Sequence, residues 1–420
     1  MKKISILLAC LSLYSVSMAQ QETEQSRIAK VEQKMQEQEE ALTLLKKLKV
    51  TGYVQTQWQH GEKDAALKVG AKNEQKEDTF DRIGIRRGRI KFAYDTGLTS
   101  SVFQLDITEK GVGVKDAYVN LKDPWMKSSS LRFGVFDRPF GDEIGYSSAR
   151  RESPERSLIF NTLFPDGRDL GAMLTLQAPK GSPLSFLKLD AGLFAGNGLK
   201  QETDSRKDFI GHLSMMKDLG DNLRVGLGAS YYNGGVYQGT DKVYTFKNGA
   251  FELNQNNTNK GRFAKREYYG VDGQFLLLSP LGMTHLRAEY LMGTQPGSAS
   301  SSQSPNSSTL PSHDTFIRTF RGGYAVLVQD FGSFPLSAVL KYEWYDPNTR
   351  ISGNEIGKGN SSRADLAYTT FGAGLLWKIT GNIRMQAHYD MVSNEVSSAL
   401  AGYEKDRKDN VFTLRLQYKF

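Results

Sequence analysis

From Val50 to the terminal Phe420, apolar side chains recur at every second position in runs of about eight to twelve residues, and a turn signal closes each run. A period of two sustained this long leaves the half-buried β-strand as the only regular structure open to the chain. Phe103, Leu105 and Ile107 face one way while Gln104 and Asp106 face the other. Leu223, Val225, Leu227, Ala229 and Tyr231 alternate with Arg224, Gly226, Gly228 and Ser230. Leu336, Ala338, Leu340, Tyr342 and Trp344 alternate with Lys341 and Glu343, and Ile383, Met385, Ala387 and Tyr389 with Arg384, Gln386 and His388.

The joints between the runs separate a barrel from a soluble sandwich. Short joints at 95–98, 179–183, 219–221, 279–280, 332 and 380–381 alternate strictly with long polar loops at 61–82, 139–168, 234–263, 294–314 and 347–364. Short turns on one rim and long loops on the other are the layout of an outer-membrane barrel. The pattern therefore predicts an all-β, transmembrane antiparallel barrel of about sixteen strands over 50–420. Mean hydropathy is −0.46, and nothing beyond the N-terminus approaches the roughly 18 apolar residues of a membrane helix. The last run places Phe412, Leu414, Leu416, Tyr418 and Phe420 on one face, with Arg415, Gln417 and Lys419 on the other. A lipid-facing stripe closing on Tyr418 and a terminal Phe420 is the signal that barrel-assembly machinery reads. Outer-membrane lipid and that machinery are thus expected partners.

The N-terminus is organised differently. Lys2 and Lys3, an apolar run from Ile4 to Val16 and the small residues Ser17 and Ala19 read as a secretory signal over 1–19. The only cysteine, Cys10, falls inside it; a lipoprotein signal ending there is the competing reading. Segment 20–49 has no Gly or Pro, and Ile28, Val31, Met35, Leu42 and Leu45 occupy a and d positions of a heptad. It reads as a short periplasmic coiled coil joining subunits, or else as a solvated helical linker. Three heptads are marginal alone.

Sorting charges by strand face predicts what lines the interior. Arg87, Arg89, Lys91, Arg132, Lys188, Arg224, Arg287, Arg321, Lys341, Lys378, Arg384, Arg415 and Lys419 fall opposite the lipid face, against Asp106, Asp190, Asp272, Glu289, Glu343 and Asp390. Inward cations outnumber inward anions about two to one, and charged rings in a narrow throat set ion selectivity. Small anions are the expected solute. Without the signal the net charge is 52 minus 46, or +6, too mild and too scattered to suggest nucleic acid. His60, His212, His285, His313 and His388 show no metal-ligand spacing, and there is no Gly-x-Ser-x-Gly. No enzyme, metal or cofactor is expected. A structural or adhesive barrel, or an unselective pore, are the alternatives; the Ser-rich stretch 298–308 favours adhesion or is a flexible loop.

Three segments carry a family resemblance: Ile85-Arg86-Arg87-Gly88-Arg89-Ile90-Lys91-Phe92, Leu131 to Gly141, and Pro154-Glu155-Arg156-Ser157-Leu158 continuing to Phe164-Pro165-Asp166-Gly167-Arg168-Asp169-Leu170-Gly171. With the signal and the heptads, they make the chain resemble the phosphate-selective porin O and P family. The resemblance implies a homotrimeric, sixteen-stranded outer-membrane porin whose third long loop folds inward. The matching loop is 139–168, with Arg150, Arg151, Arg156 and Arg168 as anion-contacting residues and Leu158-Ile159-Phe160 pinning it to the wall. Family members select phosphate with lysines near the constriction, whereas Phe140 to Leu170 contains none. Arginine forks also bind phosphate bidentately, so the resemblance carries anion preference further than phosphate specificity.

Overall fold

A computed structural model describes residues 26–40, 42–43 and 45–420. The expected signal over 1–19, Cys10 included, lies outside the described residues. Helix α1 occupies 26–40 and continues through 42–43 and 45–47. Ile28, Val31, Met35, Leu42 and Leu45 are all more than half exposed on it, so none of the described residues covers the heptad stripe. The first strand already begins at Leu48, two residues before the expected boundary.

Eighteen strands follow. They are β1 (Leu48–Glu62), β2 (Thr79–Asp95), β3 (Thr99–Thr108), β4 (Gly111–Lys122), β5 (Ser130–Asp137), β6 (Arg168–Gln177), β7 (Leu187–Phe194), β8 (Asp208–Asp218) and β9 (Leu223–Tyr237). The rest are β10 (Lys242–Lys247), β11 (Ala250–Gln255), β12 (Phe263–Ser279), β13 (Gly282–Gly297), β14 (Thr315–Asp330), β15 (Leu336–Asp346), β16 (Tyr368–Lys378), β17 (Ile383–Asn394) and β18 (Val411–Lys419). Sixteen of them form the wall, each antiparallel to its neighbours. β1 pairs with β18 in register from Tyr53↔Lys419 to Gly61↔Val411, which closes the sheet and leaves no edge. Phe420 completes the seam: its N–H donates to the Gly52 carbonyl and its own carbonyl accepts from the Gly52 N–H, both at 2.9 Å.

The two extra strands were not expected. β10 and β11 form a hairpin inside the long loop at 234–263, and β10 adds in parallel to the end of β14 through Val243 to Thr245. Phe246, Phe251, Phe316, Ile351, Ile356, Leu366 and Tyr403 make a small core there. The hairpin's turn is Asn248-Gly249, both at positive φ, as a two-residue hairpin loop requires; joint length alone, which marks 234–263 as one long loop, does not separate it. A second correction concerns rim asymmetry: Thr108 and Gly111 join β3 to β4 by a tight turn on the long-loop rim, so the alternation of joint lengths is not strict.

The outer face carries the expected apolar band, including Val54, Phe92, Phe103, Leu213, Leu227, Leu340, Leu375, Leu416, Tyr418 and Phe420. An edge-free barrel with such a band satisfies its backbone internally and presents hydrocarbon to lipid. The chain is an outer-membrane barrel.

Candidate functional site

The loop between β5 and β6 folds into the barrel and decides what the lumen can do. Its short helix α2 (Leu158–Leu163) and flanking residues bring Phe140, Ile144, Ile159, Phe160, Leu163 and Phe164 to essentially complete burial. They meet inward aromatic side chains of β9, β12 and β14: Phe164 lies 6.0 Å from Tyr232 and 5.6 Å from Tyr268, and Phe160 lies 6.1 Å from Tyr324 between ring centres. Glycines make the room. A Cβ on Gly270 would stand 2.7 Å from the Phe140 ring, and one on Gly322 would stand 3.0 Å from Ile159. Ile159 and Phe160 thus pin the loop as expected, whereas Leu158 stays 37% exposed.

The opposite edge of the loop is held by polar groups. Arg384 donates to the carbonyls of Arg150 and Arg151, both at 3.0 Å. Gln386 donates to those of Arg151 and Glu152 at 3.0 and 2.7 Å. Gln55 donates to the Ser148 carbonyl at 3.0 Å and Gln417 to that of Ala149 at 3.2 Å. Backbone carbonyls that an inward loop would otherwise leave unpaired are therefore satisfied by the wall.

Between loop and wall, alongside β1–β6, runs a cavity of about 540 Å³. Its lining extends from Thr51, Lys91, Arg132 and Lys419 near the short-turn rim to Asp137, Asp166 and Arg168 toward the long-loop rim. Eleven cationic side chains and four carboxylates (Asp106, Asp116, Asp137 and Asp166) line it. Two wider cavities, about 730 and 1250 Å³, open at the short-turn rim, and Tyr146 and Arg150 line all three.

Eight of the ten sequence-assigned cations meet in the first cavity: Arg87, Arg89, Lys91, Arg132, Arg150, Arg151, Arg156 and Arg168. The other two do not. Lys341 is buried against Glu343 at 2.8 Å, and Arg384 serves the loop backbone. Of those assembled, Arg89 pairs with Asp106 at 3.2 Å, and Arg168 with Asp116 at 3.0 Å and with Asp137. Among the described residues, Lys91, Lys115, Arg132, Arg150, Arg156 and Lys419 have no carboxylate within ion-pair reach. Arg132 stacks on Tyr118, 4.6 Å from its ring centre.

Two lining cations escaped the strict alternation, both through β-bulges. The β1–β2 register shifts so that Gln55 faces Arg87 while Thr56 faces Ile85, leaving Arg86 as the extra residue. The β3–β4 register shifts so that Gln104 faces Asp116 while Leu105 faces Val114, leaving Lys115 extra. A bulge lets two consecutive residues share a face, so Arg86 joins Arg87, and Lys115 joins Asp116, in the lumen. One assignment is reversed. Arg321 lies on the outer face of β14 with Leu327, paired with Asp346 at 3.7 Å, because its strand alternates about Phe320 and Tyr324 as the inward residues.

No family model matches the chain, and no curated protein does. Solved structures share the fold. Pseudomonas putida OprB at high pH has a TM-score of 0.56 at 10% identity, with 90% of this chain and 96% of that one covered. The outer membrane channel DcaP of Acinetobacter baumannii has 0.53 at 12%, covering 89% and 97%. The trimer form of Vibrio cholerae OmpT, an outer membrane protein, has 0.51 at 11%, covering 89% and 99%.

Proposed function

We propose that this chain is an outer-membrane diffusion porin whose water-filled lumen favours small anions. The observation that carries the reading is the excess of eleven cationic side chains over four carboxylates along the cavity between the inward loop and β1–β6. In a confined passage such an excess concentrates anions and repels cations. Reversal potential in a KCl gradient across a planar bilayer tests it: chloride preference is the expected result, and potassium preference refutes it. A general, weakly selective porin is the second reading, favoured by the carboxylates that neutralise Arg89 and Arg168; a reversal potential near zero would favour it. Phosphate is the oxyanion to test first, since several lining cations are arginines and the chain resembles the phosphate-selective porin O and P family.

The same reading includes a homotrimer, with Ile28, Val31, Met35, Leu42 and Leu45 forming a periplasmic seam of three helices. Their exposure within one chain supports it. Removing 20–48 should weaken the trimer yet leave each barrel folded. Crosslinking that recovers only monomers of the intact protein would exclude the seam.

A further inference from the structure

At the tip of the inward loop, one carboxylate occupies a site built from three arginines. Arg86 grips Glu155 with a two-pronged fork, Nε to Oε1 at 2.8 Å and Nη2 to Oε2 at 2.7 Å. Arg415 adds a bond to Oε1 at 2.7 Å and Arg87 a longer one to Oε2 at 3.4 Å. Three guanidinium groups and one carboxylate leave the cluster at +2, with Arg415 fully buried and Glu155 15% exposed. The wall holds two of the three donors apart from Glu155, and the loop backbone beside Glu155 holds one of these as well. Arg415 also donates to Gln57 Oε1 at 2.9 Å and to the Pro154 carbonyl at 2.6 Å, and Arg87 reaches Gln55 Oε1 at 3.4 Å. Arg86 and Arg87 also line the cation-rich cavity, so the cluster adjoins the path proposed for solute anions.

A fork of parallel N–H donors plus two further guanidinium groups is the geometry that recognises a carboxylate or phosphate. A structural ion pair needs one arginine; here the bulge at Arg86 brings a second beside Arg87, and β18 supplies a third. We infer that Arg86, Arg87 and Arg415 form an oxyanion-binding cradle in the lumen wall, and that Glu155 is its tethered occupant, which a permeating oxyanion displaces. Displacement frees the tip of the loop, so the passage yields to the solutes it conducts. This rests on the lumen being an anion path, because only then does a solute oxyanion reach the cradle in quantity.

The test uses inorganic phosphate on the full-length protein in chloride medium. Wild type, Glu155→Ala, Glu155→Asp and Glu155→Ala/Arg86→Ala are compared for phosphate block of the chloride current and for the temperature at which the heat-modifiable barrel unfolds. With Glu155 removed, half-block should need at least about ten-fold less phosphate than in wild type, as expected when a tethered competitor is lost. Phosphate should also raise the unfolding temperature of Glu155→Ala, since a ligand that binds only the folded state stabilises it. Deleting Arg86 in the same background should abolish both effects. Glu155→Asp keeps the charge and so guards against a folding failure; its shorter reach cannot satisfy Arg86 and Arg415 together, and its phosphate sensitivity should be intermediate. Phosphate insensitivity of both Glu155→Ala and Glu155→Asp would overturn the cradle, as would an effect that survives loss of Arg86. A wild-type channel that prefers potassium would instead remove the anion reading, and the KCl reversal potential reports that separately.

Discussion

Arg150 is the residue at which the proposed selectivity is most open to attack. It lines all three lumen cavities, is exposed, and its guanidinium has no ion-pair partner among the described residues. Its contribution to loop position comes from its backbone carbonyl, which accepts from Arg384 at 3.0 Å. Arg150→Glu should therefore leave the loop in place while changing the local charge by two units. In water, a unit charge about 5 Å from a passing ion is worth roughly 0.8 kcal/mol. Two units amount to roughly 1.7 kcal/mol, or about a 15-fold change in local ion concentration, opposite in sign for chloride and potassium. At about 0.1 M salt the Debye length is about 10 Å and most of this survives; at about 1 M it is about 3 Å and the effect should largely vanish. The assay is the reversal potential of single channels in a shallow KCl gradient at low and high salt. Arg224→Glu is the contrasting substitution, since Arg224 sits at the short-turn rim beside Asp218 at 2.5 Å with both side chains more than half exposed, and it should shift the potential little. An Arg150→Glu channel with the wild-type reversal potential at low salt would refute the reasoning.

Three further outcomes are expected. Phe164→Ala removes the centre of the loop's apolar anchor and should cost about 3–5 kcal/mol if the site does not collapse, lowering the denaturant midpoint and giving larger, noisier single-channel currents; an unchanged midpoint would show that the anchor bears no load. Deleting Phe420, or making it charged, should slow barrel assembly and leave unfolded protein in the periplasm, because it removes both the end of the lipid-facing stripe and the bonds to Gly52; normal surface levels of heat-modifiable barrel would count against this. In the loop joining β17 to β18, burial and the neighbouring Asp406 push the Asp409 carboxyl up to about 6, against the opposing pull of Arg407. Its unfolded value is about 3.9, so the ordered loop binds the proton more tightly and gains stability as pH falls from about 6 toward 4, a gain absent above 6. Amide exchange in 395–410, corrected for intrinsic rates, should be slower at the acid end of that window, and Asp409→Asn should flatten the dependence.

The barrel was legible because its solvent is: lipid on one face forces a period of two, and that period holds along the wall strands except at the bulges in β2 and β4. The faces of Arg87, Arg89, Lys91 and Arg132 followed from it directly. What alternation hides is any residue at which the register slips. Arg86 and Lys115 each sit next to another charged residue in strands that otherwise alternate, and that adjacency was the available signal. An arginine or lysine on the lipid face near the bilayer centre costs about 2–4 kcal/mol, so two consecutive charges in mid-strand demand a bulge that turns both inward. The β10–β11 hairpin carried a signal of its own in Asn248-Gly249, a two-residue turn with both residues at positive φ, which a division of the chain by joint length passes over; only its core, assembled from several loops, had none.

The loop's two anchors also explain why sorting charges by face gives a sign more securely than it gives residues. At the level of the loop, the aromatic anchor on β9, β12 and β14 fills that side of the lumen, and the carbonyl-clamping residues of β1, β17 and β18 hold the other edge. Water and ions are left the strip beside β1–β6. Arg287, Lys341, Arg384 and Arg415 all face inward, as alternation requires, yet they spend their donors on Glu152, Glu343, Glu155 or the loop's carbonyls. They hold the gate and contribute less to the field an ion meets. Inward carboxylates are withdrawn likewise: Glu289 accepts from the Tyr324 hydroxyl at 2.6 Å and from the loop's Asp142 N–H at 3.1 Å, and Asp190 pairs with Lys188 at 2.7 Å. Both signs are depleted by these uses, but the strip keeps Lys91, Lys115, Arg132, Arg150, Arg156 and Lys419 unpaired against a lone unpaired Asp166 among the described residues. The excess of positive charge is therefore sharper along the path than across the lumen as a whole. Neutralising Arg287 or Lys341 should accordingly disturb the loop and the barrel's stability before it disturbs the reversal potential, whereas neutralising Arg132 or Lys91 should do the reverse.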